Sequence, residues 1–315
     1  MAKITVIIQT YNRANMLQRA IDSVLKQSFK DFELIIIDNG SIDNTQKLIE
    51  SYYKTQSKFF CIKRKKNDIG MALAKTIDKA INYNSESNYC MFLDDDDFMA
   101  PTAIEILYNL ISTTDADIAA VGSQFFYPDG TTENKYVYEG TYSMTRVEAM
   151  YELLKREKIN SARGGKLYKK SILCDIEYPD ELKIRDIHRE YRVMNNIQKM
   201  AICGEPLYYF YRHDNNSSGL SLPQQITPER LREHLTANRE RTIWLSRQMP
   251  EIDKYVYYCE ISFMLSLYER IYRLKVNSCY EIAEYMKTCV INSLPEIERY
   301  GFFSKKETLI LSKII

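Results

Sequence analysis

Residues Tyr89–Pro101 read YCMFLDDDDFMAP, a short apolar run that ends in four consecutive aspartates. From Tyr89 to Leu93 the run is apolar, of strand length, and stops at a polar cluster, so it reads as a buried strand with carboxylates at its C-terminal end. In open α/β sheets that edge is where ligands bind. Four adjacent acids repel one another, and a divalent cation is the simplest offset; all-oxygen ligands favour magnesium, manganese or calcium over zinc. The competing reading of the same residues is a solvated acidic turn before a helix at Pro101.

Upstream, strand and helix patterns alternate. Ile4 to Ile8 is a β-branched run followed by the polar loop Gln9 to Arg13, and Met16, Leu17, Ala20, Ile21, Val24 and Leu25 then recur at helical spacing. Glu33 to Ile37 predicts a second strand ending in the turn-rich loop Asp38 to Asp43, and Leu48, Ile49, Tyr52 and Tyr53 mark a second helix. Phe59 to Lys63 predicts a third strand, with a turn through Asp68 and Gly70 and a helical stripe at Leu73, Ile77, Ala80 and Ile81. This alternation is the pattern of a mostly parallel sheet with helices on both faces, and it opens the acid-bearing loops after the second and fourth strands onto one cleft.

Downstream the pattern becomes mixed. After a helix with Ile104, Leu107, Tyr108 and Ile111, two strands are expected at Ile118 to Val121 and Gln124 to Tyr127, with a hairpin turn at Pro128 to Gly130. Thr145 with Glu148 forms a capping box for a helix through Arg156. Gly164 and Gly165 precede a basic strand at Lys166 to Lys170; Asp186 to Asn195 fits a helix, and Leu207 to Tyr211 is a last aromatic strand. From Thr227, an N-cap followed by Pro228, the chain reads as helical, and Ser278 with Glu281 caps a further helix. The expected organisation is an α/β domain over residues 1–222 and a helical appendage over 223–315.

The 315 residues are 45% hydrophobic, enough for a substantial core, and the formal charge of +1 excludes a nucleic-acid binder that relies on bulk electrostatics. Seven widely spaced cysteines read as reduced core residues. Met1 to Lys3 leads straight into a strand and no apolar run approaches the roughly 18 residues of a membrane span. A cytoplasmic protein is therefore expected.

The stretch VIIQTYNRANMLQRAIDSVLKQSFKDFELIIIDNGSIDNT, taken with FLDDDDFMAP, resembles the inverting family 2 glycosyltransferases with the GT-A fold, a Rossmann-like architecture. The resemblance covers about Lys3 to Gly219 and carries three separated motifs in the family's order. It implies transfer of a sugar from a nucleotide diphosphate sugar to an acceptor hydroxyl, with Mn2+ or Mg2+ as cofactor and inversion at the anomeric carbon. Similarity to bacterial surface-polysaccharide enzymes implies a glycan or lipid-linked acceptor, handled at the inner face of the membrane.

Carried over to this chain, the resemblance places Thr10, Tyr11 and Arg13 in the nucleotide pocket, with Asp38 as its first acid. Asn39 stands where a second aspartate is usual, which leaves the base open between uracil, the favoured reading, and the thymine of a dTDP-sugar. Asp94 and Asp96 match the outer acids of a D-x-D motif, with Asp96 as principal metal ligand and Asp95 near the donor sugar. Asp68 and Lys75 fall on the donor side, Lys75 where an arginine is common. In IRDIHREYR, Asp186 matches the catalytic base, with Arg185 in place of the usual glutamate. The segment YRHDNNSSG resembles the family's closing loop and puts Arg212 near the diphosphate and His213 near the metal.

Each of these residues also has a plainer reading. Asp186 can be a helix cap, His213 a hydrogen-bonded structural residue, and the aromatic stripes of the C-terminal helices core, an oligomer seam or a lipid contact. An aspartyl phosphatase fits poorly, because its D-x-D-x-T loop follows the first strand, where this chain has Gln9, Thr10 and Tyr11. A noncatalytic sugar-nucleotide binding module is the remaining rival, motivated by Asn39 and Arg185.

Overall fold

A computed structural model describes residues 3–67, 71–83, 86–159, 161–174, 176, 185–213, 220 and 222–314, without the side chains of 71–74 and 185–187. The chain divides into two compact units, Met1–Glu181 with Arg189–Asp214, and Leu182–His188 with Asn215–Ile315.

In the first unit the elements run β1 (Ile4–Thr10), α1 (Ala14–Leu25), β2 (Phe32–Asp38), α2 (Thr45–Tyr53), β3 (Phe59–Lys63), α3 (Met71–Ile81), β4 (Tyr89–Asp94), β5 (Phe98–Met99) and α4 (Ala103–Thr114). They continue through β6 (Ile118–Phe126), β7 (Thr132–Asn134), β8 (Thr141–Thr145), α5 (Arg146–Lys155) and β9 (Lys166–Lys169) to α6 (Arg185–Asn195), which belongs to this unit from Arg189 on, and β10 (Lys199–Tyr211). Among the described residues the strands form one sheet in the order β3-β2-β1-β4-β9-β6-β10-β5, with β7 on β6 and β8 on β10. β1 to β4 are parallel, and β9 enters antiparallel between β4 and β6, so the sheet is mixed. This is the α/β GT-A arrangement.

β1 and β2 are buried on both faces, which is why Ile4 to Ile8 reads as a β-branched run and Leu34 to Ile37 as an apolar one. On one face Ile4, Val6, Ile8, Leu34 and Ile36 pack with Leu17, Ile21 and Val24 of α1. Burying such side chains contributes roughly 1.5–3 kcal/mol each, the term that fixes α1 on this face.

The second half of the sheet departs from expectation in three places. The two strands expected around Gly122 are one, β6, and the hairpin turn follows it, with Gly130 N bonded to Tyr127 O at 3.0 Å. The aromatic strand is longer than its aromatic part: β10 begins at Lys199 and passes through Gly204 and Pro206 with register shifts between Cys203 and Tyr208. Gly204 is required there, because a Cβ would lie 1.9 Å from Tyr138 O. β5 and β8 carry no apolar run, since β5 has two residues and β8 is mostly exposed.

In the second unit α7 (Pro228–Gln248), α8 (Asp253–Arg273), α9 (Tyr280–Ile297) and α10 (Lys305–Leu311) follow one another. Thr227 caps α7 as expected, its Oγ1 accepting from Arg230 N at 3.3 Å with Pro228 at the first position. Ser278 does not cap α9; a 3-10 turn over Asn277–Cys279 precedes it and Cys279 is the boundary residue. The unexpected capping box is Ser304 with Glu307 at α10. No helix among the described residues is long and apolar enough to cross a membrane, and the seven cysteines are free thiols.

Candidate active site

Register builds the site. Thr10 on β1 stands beside Asp38 on β2, and Gln9 beside Asp94 on β4, so three parallel strands end together at one sheet edge. The loops beyond them are tied to each other: Asn12, held at φ 52°, donates its N–H to Ser41 Oγ at 3.0 Å, while its Oδ1 accepts from Ile42 N at 2.8 Å. Asparagine is one of the few side chains that adopts this left-handed backbone readily. Tyr11, between them, is about two-fifths exposed, at 38%.

Asp38 is fully buried. Its Oδ1 accepts from Ser41 N at 2.9 Å and its carbonyl from Arg64 N at 2.8 Å, so it shapes the loop after β2. Asn39 N donates to Thr10 O at 3.0 Å, and Asn39 Oδ1 accepts from Arg64 Nη1 at 2.8 Å. Arg64 was not among the expected residues; its place one step beyond β3, on the same edge, was the available signal.

The four aspartates take different environments. Asp94 is exposed. Arg13 Nη1 bridges Asp95 Oδ1 at 2.9 Å and Asp96 Oδ2 at 3.0 Å. Burial pushes the Asp95 carboxyl above its usual range, with Arg13 opposing that rise. Burial also works against the charge on Arg13, but Asp95 and Asp96 outweigh it and hold the guanidinium more firmly protonated. Asp97 is turned inward, and burial next to Asp94 and Asp96 drives its carboxyl well above the usual range.

Two further contacts hold the loop. Arg19 Nη2 donates to Asp96 O at 2.7 Å, with its guanidinium 3.8 Å from the centre of the Tyr211 ring. His213 Nε2 lies 3.2 Å from Asp96 Oδ2. The structure therefore brings Arg13, Asp95, Asp96 and His213 together. The Arg212 guanidinium instead stacks 3.8 Å over the Phe125 ring. Lys75 is an exposed residue of α3. Asp68 lies outside the described residues, as does the side chain of Asp186, which stands on α6 within the stretch 182–188 of the second unit.

Among the described residues no group of three or more His, Cys, Asp or Glu side chains is arranged around a common point for a metal. The Asp96 carboxylate and the His213 imidazole are hydrogen-bonded neighbours, 3.2 Å apart, and the same Asp96 oxygen also takes Arg13. Magnesium-type sites take one or two carboxylates, with phosphates and water completing the shell. The Asp96 carboxylate has that chemistry, and the His213 imidazole is the nitrogen donor beside it. Arg13, meanwhile, offsets part of the repulsion that the run of acids alone had assigned to a cation.

Residues 5–176 match the family described as Glycosyl transferase family 2. The chain is 24% identical over 222 residues to the glycosyltransferase GlyG of Streptococcus pneumoniae serotype 4, covering 68% of this chain and 72% of that protein. It is 30% identical over 210 residues to the cholesterol galactosyltransferase of Borreliella burgdorferi, covering 66% of this chain but only 54% of that one. Among solved structures, S. aureus TarS 1-349 in complex with UDP-GlcNAc superposes with a TM-score of 0.59 at 18% identity, over 96% of this chain and 93% of that one, a likeness of fold. With the family's motifs on the edge where β1, β2 and β4 end together, and with more than half of the chain inside the match, this protein belongs to glycosyl transferase family 2.

Proposed function

We propose that the protein is an inverting, metal-dependent transferase that moves a sugar from a nucleotide diphosphate sugar, a UDP-sugar in the first instance, to an acceptor hydroxyl on a glycan or lipid-linked saccharide. The observation that carries this reading is the meeting of Arg13, Asp95, Asp96 and His213 at the shared end of β1 and β4. One feature of a neighbour agrees with the donor side of it: TarS 1-349 holds UDP-GlcNAc.

In this reading Thr10, Tyr11, Asp38 and Asn39 form the nucleoside side of the cleft, and Asp95 with Arg13 the donor-sugar side. Asp96 and His213 would hold Mn2+ or Mg2+, which when bound would neutralise charge on the diphosphate. Asp186 takes the proton of the acceptor hydroxyl as its oxygen bonds to the anomeric carbon. The bond from that carbon to the diphosphate oxygen breaks on the opposite face, and its electron pair leaves with the diphosphate. Asp95 sits close enough to Arg13 to stay fixed while this happens.

Screening nucleotide sugars for hydrolysis or transfer, with manganese and with chelator, tests the reading. Calorimetry with UDP runs beside it on the native protein and on Asp96→Ala. UDP affinity should be higher with manganese, and that difference should disappear in Asp96→Ala. Equal UDP affinity in manganese and in chelator, or turnover indifferent to both, overturns the metal role; absence of any transfer leaves the binding module standing.

A further inference from the structure

Of the four aspartates in the acidic loop, Asp97 has no place in the chemistry above, yet it is 4% exposed and fully engaged. Its Oδ2 accepts from Tyr208 OH at 2.7 Å and its Oδ1 from Tyr211 N at 2.9 Å. Both oxygens therefore face β10 and neither is offered to a ligand. The residues that follow continue the attachment: Phe98 and Met99 pair antiparallel with Tyr209 and Tyr208, and Phe98 stacks on Tyr209 with ring centres 4.7 Å apart.

Tyr208 is itself fixed from behind. A Cβ at Gly164 would lie 2.2 Å from the Tyr208 hydroxyl, and one at Gly165, which has φ 73°, would lie 3.2 Å from Tyr208 Cβ. Any side chain at 164 would displace the phenol that bonds Asp97. The glycine pair before β9 thus makes room for the Tyr208 ring. Two residues beyond Tyr211 comes His213, 3.2 Å from Asp96. The chain from 208 to 213 and the chain from 96 to 99 are therefore joined by one buried hydrogen-bonded latch, and the Asp96–His213 separation is set by what the latch holds.

We infer that Asp97 and Tyr208, seated on Gly164, are positioning residues that fix Asp96 and His213 at ligand spacing without touching substrate or metal. This rests on the reading of Asp96 and His213 as the metal pair. It also makes position, not charge, the property required of residue 97. An Asn there keeps an acceptor for Tyr211 N, and its amide donates to the Tyr208 oxygen in place of the bond that Asp97 receives.

The test compares Asp97→Asn, Asp97→Ala and Tyr208→Phe in the full chain by Mn2+ titration with UDP present, by the His213 imidazole NMR shifts without metal at one pH, and by melting temperature. Asp96→Ala provides the reference shift for a His213 that has lost its neighbour. Misplaced outer-shell partners weaken metal binding by about 10- to 100-fold. Asp97→Ala and Tyr208→Phe should fall in that range and move the His213 shifts toward the Asp96→Ala values. Asp97→Asn should stay near the native affinity and shift. Loss of melting temperature with unchanged Mn2+ affinity and unchanged His213 shifts overturns the inference, as does failure of Asp97→Asn to restore both. If the native protein binds no Mn2+, the metal reading falls, and the metal-free His213 shifts still decide whether the latch positions that ring. Should Tyr208→Phe not fold, the contrast between Asn and Ala at 97 carries the decision.

Discussion

Arg64 Nη1 donates to Asn39 Oδ1 at 2.8 Å, which occupies one of the two acceptor sites of the amide oxygen and leaves both N–H donors of the amide to the cleft. Read from the residue type alone, Asn39 offers both a donor and an acceptor to the base. With Arg64 on the oxygen, the two N–H donors are its larger offer, suited to a base carbonyl more than to an imide N–H.

Asn39→Asp should therefore change which base is preferred. UDP and dTDP present the same imide and should gain together relative to GDP by about fivefold, the worth of one hydrogen bond. Calorimetry over the three nucleotides checks this. Unaltered relative affinities mean that the loop after β2 does not read the base.

Asp186→Asn nearly preserves shape while removing the basic oxygen. Transfer should drop by about a hundredfold or more, with UDP affinity and melting temperature close to native. A residue that only stabilises the first turn of α6, in which Asp186 stands second, would give the reverse, a lower melting temperature with turnover per folded molecule kept. Glu190, on the same helix, offers no alternative base: it is 1% exposed, 3.0 Å from Lys166 Nζ, and accepts from Tyr168 OH at 2.9 Å.

That buried pair makes a stability prediction. Lys166→Met leaves the Glu190 carboxylate without its cation, and breaking a buried pair from one side costs about 3–5 kcal/mol. The double variant Lys166→Met with Glu190→Leu should recover most of the loss. Urea unfolding of the three proteins measures both steps. A single variant as stable as the native chain would show that the pair contributes nothing.

In the helical unit, burial raises the affinity of Glu307 for a proton, but hydrogen bonds from Ser262, Ser304 and Tyr258 outweigh it and hold the carboxyl below its usual range. A carboxyl lowered by folding contributes stability that is complete above its unfolded pKa and fades as pH falls through the folded one. The melting temperature should therefore decline from the ordinary glutamate range downward in acid. Glu307→Gln should flatten that part of the profile. An identical acid limb in both proteins would assign the decline to other carboxylates.

Sequence legibility followed physical cause. β1, β2 and β4 are readable because a parallel strand buried on both faces is largely apolar, and β3, half-buried at the sheet edge, because Phe59 to Ile62 is apolar and of strand length. β5 is not, since two residues carry no periodicity; Gly122 interrupts the apolar pattern of β6, and Gly204 and Pro206 hide the first part of β10, where the sheet shifts register. In the site, the motif supplied Arg13, Asp95, Asp96 and His213. It could not supply Arg19 or Arg64, whose contacts depend on how α1 and β3 fall against the loops. Nor could it say which of four identical aspartates turns inward, because that is decided by Tyr208.

The distance along the chain between those partners bears on how the molecule is made. Asp97 is 111 residues from Tyr208 and 114 from the Tyr211 amide, and Asp96 is 117 from His213. At roughly 5–20 residues per second of synthesis, the acidic loop leaves the ribosome on the order of 5 to 20 seconds before the strand that secures it. During that interval β6 also lacks β10, its parallel neighbour. A nascent chain halted short of Tyr208 thus presents an open sheet edge together with a cluster of carboxylates that Arg13 and Arg19 restrain without the help of β10.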